Sequence, residues 1–245
     1  MKQAILIITC IFFFFSPTAI LAQKEVPILV YHSIAEYTGQ GSKELFVTPK
    51  KFEEQMTYLR KNGFTPLTFE NWDKIHQVPK PIFITFDDGY KNNLNALRVF
   101  EKIRTNNFNP VGTIFVISHF INRPNRLSNE DLRVMINSGF FSIQSHTATH
   151  PDLTQITDYV YELKNSKEKI FQITGKPVIA LSYPYGNFND KVVSETKKYY
   201  SFGLTTTPAK YIEKGQEKEL FQLPRLYIKY STTLDEFAKI VERNS

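Results

Sequence analysis

The sequence predicts an α/β fold in which about seven parallel strands, joined by helices, close into a (β/α) barrel. From Pro27 onward, short runs of β-type residues alternate with helical runs, which is the order typical of parallel strands joined by helices. Neither a repeat nor a low-complexity linker interrupts this alternation. Six or seven strand–helix pairs favour a closed or nearly closed barrel over an open doubly wound sheet, and a barrel carries its chemistry at the carboxyl ends of its strands.

The expected strands are short runs of mostly apolar residues. We place them at residues 28–31, 82–86, 113–117, 141–144, 178–183, 202–206 and 226–228. The clearest helix begins at Thr48-Pro49 and ends at Gly63, because Thr is a favourable N-cap and Pro suits the first helical position. Phe52 and Met56 lie four residues apart on its apolar stripe. Further helices are expected at residues 93–103, 129–137, 157–173, 191–198 and 234–241.

The composition is that of a globular protein. Of the 245 residues, 42% are hydrophobic and 14% aromatic, which is ample material for a packed interior and argues against disorder. The formal net charge of +6 suits work near an anionic surface or an acidic polymer. Lys and Arg are scattered singly or in pairs, however, so we expect no nucleic-acid partner.

The first 22 residues have the layout of a secretory signal peptide. A continuous apolar stretch runs from Ala4 to Phe15, and Ala22 supplies a small residue before the expected cleavage site. Cys10, the only cysteine, lies in this segment, so the mature chain would have no thiol. We therefore expect a secreted or cell-surface protein. An uncleaved membrane anchor is the alternative, which Pro17 and the short apolar run disfavour, since a span needs about 20 residues.

Two carboxylates follow a strand candidate. Residues 82–86 run directly into Asp87, Asp88 and Gly89. Like charges this close raise each other's pKa unless a cation compensates, so the pair suits a metal site with one carboxylate as ligand and the other as base. An Asp-Gly turn with a capping carboxylate is an equally good explanation of these residues taken alone.

Two imidazoles lie four residues apart after another strand candidate. Residues 141–144 lead through Ser145 to His146 and His150, and either a helical turn or a tight loop could bring both rings onto one face. A catalytic zinc site needs three protein ligands and an open position for water, and two His with one Asp supply that number. Taken singly, each His would more often be a surface or structural residue.

A sharp turn follows a third strand candidate. Pro184 and Gly186 force the backbone to turn within residues 182–187. Such a turn can present a backbone N–H, here that of Tyr185, to the oxyanion that develops in acyl transfer. An ordinary strand-to-helix turn is the alternative.

Three segments, TFDDG (85–89), SHTATH (145–150) and YPYG (183–186), closely resemble in order and spacing the polysaccharide deacetylases of the NodB-homology type, carbohydrate esterase family 4. The resemblance covers the chain from about Pro27 to Arg243. It implies a distorted (β/α) barrel, a divalent metal with Zn²⁺ as the first choice, and removal of acetyl groups from N-acetylglucosamine units.

The resemblance implies a role for each polar residue of these segments. Asp87 is similar to the family's general base and Asp88 to its carboxylate ligand. His146 and His150 are similar to the imidazole ligands, and the backbone N–H of Tyr185 would serve the oxyanion.

The chain departs from the family pattern at two places. Ser182 occupies the position where the third motif usually carries an Arg that braces the catalytic Asp. Arg225, just before a late strand candidate, is our candidate to support Asp87 instead, with a surface position as the alternative. The family's late Leu-x-His motif, which usually supplies the general acid, has no counterpart because no His follows His150.

The missing acid has a candidate near the beginning of the chain. His32 follows the first strand candidate, where a barrel would direct it toward the same mouth. The opening PILVYHSI (27–34) resembles the branch that deacetylates poly-β-1,6-N-acetylglucosamine, in which an early His is thought to be the acid. A capping or structural role for His32 is the alternative. Tyr90 and Asn187 are candidates for contacts with substrate.

These observations predict a metal-dependent N-deacetylase in which residues 23–245 form one catalytic domain without a separate carbohydrate-binding module. The expected substrate is an extracellular or cell-wall polysaccharide that contains N-acetylglucosamine, with poly-N-acetylglucosamine slightly preferred to peptidoglycan. A catalytically impaired glycan-binding relative is an alternative of another class, because Ser182 and the missing late His remove two expected catalytic aids. An esterase acting on O-acetylated xylan or a similar polymer is a third possibility.

Overall fold

The structure, a computed structural model, describes residues 24–242. The predicted signal peptide, residues 1–22, lies outside this range. Twelve strands lie within the described residues: β1 Glu25–Val26, β2 Ile28–Tyr31, β3 Ser33–Ile34, β4 Phe46–Val47, β5 Thr65–Leu67, β6 Pro81–Phe86, β7 Gly112–Val116, β8 Phe141–Ser145, β9 Ala180–Ser182, β10 Phe202–Leu204, β11 Tyr211–Ile212 and β12 Leu226–Tyr227.

Eight of these strands form one parallel sheet that curls into a barrel. Seven lie in the order β10-β9-β8-β7-β6-β2-β12, and β5 pairs with the beginning of β6. Leu223, just before β12, donates its N–H to the Gly203 carbonyl of β10 at 2.9 Å and accepts from the Thr205 N–H at 2.9 Å. Because β12 itself pairs with β2, this segment joins the two edges of the sheet. The predicted α/β barrel of about seven strands is therefore confirmed.

The helices cover the outside of the barrel. They are α1 Pro49–Lys61, α2 Leu94–Ile103, α3 Asn129–Asn137, α4 Ser166–Thr174, α5 Asp190–Lys197 and α6 Leu234–Val241. As expected from the sequence, Thr48 caps α1, since its Oγ1 accepts the Lys51 N–H at 3.2 Å. Within residues 24–242, no helix combines the length and the apolar composition that a bilayer span requires.

Alternate residues of β6 face two different cores. Ile82, Ile84 and Phe86 belong to the larger cluster, which includes the inner faces of the helices, whereas Phe83 belongs to a smaller cluster inside the barrel. Side chains alternate along a strand, so Thr85 follows Phe83 toward the barrel interior. Asp87, the next residue in this inward-facing row, therefore points toward the mouth of the barrel.

The structure corrects the sequence-based assignment of several elements. The helix predicted over residues 157–173 consists of a π-helical turn, Val160–Asn165, that continues into α4. The short strands β1, β3, β4, β5 and β11 were not predicted. Four of them have only two residues, too few to show any periodicity, and the fifth contains Pro66, which argues against a strand in sequence. These segments become strands only through tertiary pairing.

Phe52 on α1 provides a test of the packing between helices and barrel. Its buried ring contacts Tyr31 and Phe86 of the barrel edge-on, at centroid distances of 5.2 and 5.7 Å. We predict that Phe52→Ala lowers the free energy of unfolding by about 3–5 kcal/mol, since it leaves a cavity in the core. Lys50→Ala, at an exposed position of the same helix, should change it by less than about 0.5 kcal/mol. Urea denaturation measures both, and a change below 1 kcal/mol for Phe52→Ala would contradict the packing described.

Candidate active site

The polar segments converge because they follow neighbouring parallel strands. Asp87 and Asp88 follow β6, His146 follows β8, and His32 follows β2. In a parallel sheet the carboxyl ends of the strands share one edge. At this edge the backbone turns sharply, with left-handed φ values of +71° at Asp88 and +63° at Gly89. A Cβ on Gly89 would lie 2.9 Å from a methyl carbon of Val116, so only glycine fits there.

Three potential metal ligands lie together at this edge. The Asp88 Oδ1 is 3.6 Å from the Nε2 of His146 and 3.6 Å from the Nε2 of His150. All three ligand atoms fall within 4.8 Å of one another. Bonds of about 2.0–2.1 Å to one tetrahedral ion separate ligand atoms by roughly 3.4 Å, so the spacing fits a divalent metal.

The hydrogen bonding of His146 also fits a ligand. Its Nδ1 lies 2.8 Å from the Ser182 carbonyl, and a carbonyl can only accept, so Nδ1 carries the proton and Nε2 keeps its lone pair. Burial, followed by the neighbouring His146, lowers the pKa of His150 to about 4. The His150 ring is therefore available in the neutral form that metals bind.

Asp87 is held by a buried bidentate ion pair. Arg225 donates from its two terminal nitrogens to Oδ1 at 2.8 Å and to Oδ2 at 2.7 Å. The Ser182 hydroxyl adds a third hydrogen bond to Oδ2 at 3.0 Å. Burial alone would raise the pKa of Asp87, but the charge and hydrogen bonds of Arg225, together with the nearby His146 and His32, outweigh it and hold this pKa below the usual range. Asp87 is therefore ionised and fixed in orientation at neutral pH.

Arg225 is itself among the most buried side chains of the described residues. Its Nε donates to the Thr205 carbonyl at 2.8 Å, and a terminal nitrogen contacts the Thr85 hydroxyl at 3.2 Å. The other terminal nitrogen lies 2.8 Å from the Ser182 hydroxyl. A small residue at position 182 thus leaves room for a guanidinium that comes from the segment before β12.

His32 lies at the same mouth and is close enough to the site to interact electrostatically with Asp87, Asp88 and His146. Its ring centroid is 5.2 Å from that of Tyr227, and its buried Nδ1 has no hydrogen-bond partner within residues 24–242. Burial lowers the pKa of His32, while the two carboxylates oppose this effect.

The turn after β9 forms an open side of the site. Tyr185 has a left-handed φ of +61°, and the residue is 64% exposed. Its ring centroid lies 4.7 Å from that of His150. The amide of Asn187 donates to Asp152 Oδ2 at 2.8 Å, so this side chain ties the turn to the loop that follows His150.

Tyr90 lies on another side, where the Arg126 guanidinium stacks 4.1 Å from its ring centroid. Arg126 also donates to the Asp88 carbonyl at 2.8 Å. Arg126 and Tyr227 belong to no sequence motif, and only the folded chain brings them to the site. Ser182 stands in the sequence only where the family usually carries an Arg.

The fold and this three-ligand centre define a barrel hydrolase of the deacetylase type, and comparisons with known proteins agree. The sequence model of the polysaccharide deacetylase family matches residues 74–202. A polysaccharide deacetylase from Bacillus cereus of known crystal structure is 51% identical with a TM-score of 0.89, over 90% of this chain and 70% of that chain. The chain therefore belongs to the polysaccharide deacetylase family, and the resemblance to its NodB-type members is confirmed.

Two curated relatives are more distant. YxkH of Bacillus subtilis (strain 168), which carries the polysaccharide deacetylase name, is 30% identical over 227 residues, 89% of this chain and 76% of YxkH. The poly-β-1,6-N-acetyl-D-glucosamine N-deacetylase of Staphylococcus epidermidis is 25% identical over 217 residues, 77% of this chain and 71% of that protein.

The Asp87–Arg225 pair should contribute to the free energy of unfolding. Arg225→Met should lower the free energy of unfolding by about 3–5 kcal/mol at pH 7, because it leaves a buried carboxylate unpaired. In the wild type, the lowered pKa of Asp87 gives stability that is present above the unfolded-state pKa of about 4 and is lost as the pH falls below it. In the variant the buried carboxyl takes up a proton at higher pH, so the difference should shrink as the pH is lowered toward 4.

Denaturation of both proteins between pH 7 and pH 4 measures this difference. Arg98→Met is the matched control, because Arg98 is exposed on α2 and donates only to Asn95 within the described residues. A penalty for Arg225→Met that stays constant with pH would contradict the pairing with an ionised Asp87.

Proposed function

We propose that the protein is a metal-dependent hydrolase that removes N-acetyl groups from N-acetylglucosamine units of a polysaccharide. The observation that carries the proposal is the group of Asp88, His146 and His150 beside a carboxylate, Asp87, that a buried Arg225 holds ionised. Asp88, His146 and His150 would hold the metal, with Zn²⁺ favoured by the two imidazoles. When bound, such an ion polarises the acetyl carbonyl and lowers the pKa of a coordinated water.

Asp87 serves as the general base in this proposal. Its Oδ2 accepts two hydrogen bonds, from Arg225 and Ser182, whereas its Oδ1 accepts one from Arg225. A carboxylate oxygen has two lone pairs, so Oδ1 keeps one acceptor position for the proton of the attacking water. Arg225 and Ser182 thus orient the base without occupying all of its acceptor positions.

His32 serves as the general acid and protonates the leaving amine, which departs as the C–N bond breaks and acetate forms. Its position near Asp87 and Asp88 supports this role. The backbone N–H of Tyr185 would donate to the oxyanion, for which the left-handed backbone at this exposed turn is suited. Tyr90 and Asn187 would contact neighbouring parts of the sugar chain.

The preferred substrate is a poly-β-1,6-N-acetylglucosamine-type polymer, and two observations support this choice. The opening PILVYHSI provides an early His, and one curated relative is named as a poly-β-1,6-N-acetyl-D-glucosamine N-deacetylase. Peptidoglycan is the second candidate, which the basic net charge of +6 also suits. We place the protein outside the membrane, secreted or at the cell surface, on the basis of the apolar leader in residues 1–22.

The proposed base can be tested with Asp87→Asn. The substitution should lower acetate release from short N-acetylglucosamine oligomers by about 10²–10⁴-fold, because general base catalysis contributes that much, while the metal content stays unchanged. A chelator should abolish release by the wild type, and added Zn²⁺ should restore it. Asp190→Asn, at an exposed carboxylate paired with Lys218, is the control.

Two results would contradict the proposal: release that survives Asp87→Asn or chelation, or release from acetylated xylan without release from N-acetylated sugars. The second result would indicate an O-acetyl esterase. Glycan binding with no release from any acetylated polymer would indicate the impaired relative.

The acid assignment can be tested with His32→Ala. Loss of proton donation to the leaving amine should reduce kcat by about 10²-fold or more, with little change in metal content, since His32 lies outside the ligand group. His119→Ala is a matched control, because that ring contacts Tyr161 and lies outside the same group. A kcat close to that of the wild type for His32→Ala would rule out this acid.

A further inference from the structure

The loop between the two candidate histidine ligands has an unfavourable backbone. Thr147 and His150 adopt left-handed φ values of +68° and +67°. For residues other than glycine such a conformation costs free energy and persists only where surrounding contacts hold it. The position of the His150 ring depends on this backbone, so the contacts that hold the loop also hold the ligand.

Backbone N–H groups of Ser118 and His119 donate to the carbonyls of Thr147 and Ala148, each at 3.0 Å. Glu162, in the π-helical turn before α4, supplies three further contacts from its side chain. Its Oε2 accepts the N–H groups of Ala148 and Thr149, each at 2.9 Å, and its Oε1 accepts the Thr149 hydroxyl at 2.5 Å. The Glu162 side chain is buried. Among residues 24–242, no Lys, Arg or His forms an ion pair with it.

The Glu162 carboxylate thus has no ion pair among the described residues, and its hydrogen bonds come from the loop. A buried carboxylate without a cation is costly unless hydrogen bonds satisfy it. Here all three hydrogen bonds come from residues 148 and 149. Displacement of the loop would therefore leave a buried charge without donors, which gives the loop one strongly favoured position.

Ser166 holds the same loop one turn further along the helix. Its hydroxyl donates to the Thr147 carbonyl at 2.9 Å and lies 2.9 Å from the Ser145 hydroxyl. The π-helical turn Val160–Asn165 immediately precedes it, and such turns are frequent at functional sites. Two side chains of one helical segment therefore bind the loop from the same side.

We propose that Glu162 is a positioning residue that holds loop 146–150 in its ligand geometry before any metal binds. It acts through the backbone of Ala148 and Thr149 and touches neither substrate nor metal. The expected consequence, tighter binding of the ion by a preformed site, rests on the proposed metal centre. The order of the loop is a property of the metal-free protein and does not depend on that centre.

Glu162→Ala tests both parts. Zn²⁺ affinity, measured by competition with a chromophoric chelator, should fall by about 10–100-fold, as is usual when a group supporting a ligand is removed. In the metal-free protein, hydrogen exchange at the amides of residues 148 and 149 should become faster. Activity should recover toward the wild-type kcat at saturating Zn²⁺. Glu162→Gln, whose oxygen can still accept both N–H groups, should retain most of the affinity.

The controls separate positioning from general stability. Glu168→Ala lies on the same helix at an exposed position, where the side chain pairs with Lys164 at 3.3 Å, and should leave Zn²⁺ affinity unchanged. If Glu162→Ala does not fold, Thr149→Val decides: it removes one hydrogen bond at an exposed position and should weaken Zn²⁺ binding by roughly threefold.

Wild-type Zn²⁺ affinity in folded Glu162→Ala, or in Thr149→Val if Glu162→Ala does not fold, would overturn the inference. So would unchanged exchange at residues 148 and 149. Faster exchange in a protein that binds no Zn²⁺ even as wild type would instead leave the loop support standing and refute the metal part of the proposed function.

Discussion

The buried guanidinium of Arg225 is the interaction on which the rest of the site depends. It joins Asp87 after β6, Ser182 of β9 and the Thr205 carbonyl after β10, and the segment that carries it also joins the two edges of the barrel. One side chain thus links closure of the barrel to the charge state and orientation of the proposed base. Such a buried charge is tolerated because the side chain donates five hydrogen bonds and its carboxylate partner is bidentate.

From this ion pair outward, the site changes from closed to open. Asp87 and His146 are almost inaccessible, with side-chain exposures of 4% and 3%, whereas His150 reaches 20%. Tyr185, beside His150, is largely exposed. The buried part of the site therefore holds the base and one ligand, and the open part faces the side from which a long polymer could approach. This division suits a hydrolase that acts on groups along an extended chain.

Much of this organisation was readable from the sequence. Short strand-like runs that alternate with helical runs predicted the barrel, because the periodicity of apolar residues is a strong local signal. Parallel strands then bring Asp88, His146 and His150 to one edge of the sheet. The support of Asp87 by Arg225 was predicted only as one of two alternatives, because Arg225 lies 138 residues from Asp87 and only the folded barrel brings the two together. The contacts of Glu162 were not readable, because this residue belongs to a helix predicted as regular, in which a π-helical turn has no sequence signature.

The central claim is that Asp88, His146 and His150 surround one divalent ion. X-ray diffraction from crystals grown with Zn²⁺, recorded on both sides of the zinc absorption edge, measures this most directly. An ion held by these three side chains should give a single strong anomalous peak within about 2.0–2.2 Å of Asp88 Oδ1 and of the Nε2 atoms of both histidines. A difference map with no peak among these atoms, or with the peak on other residues, would contradict it.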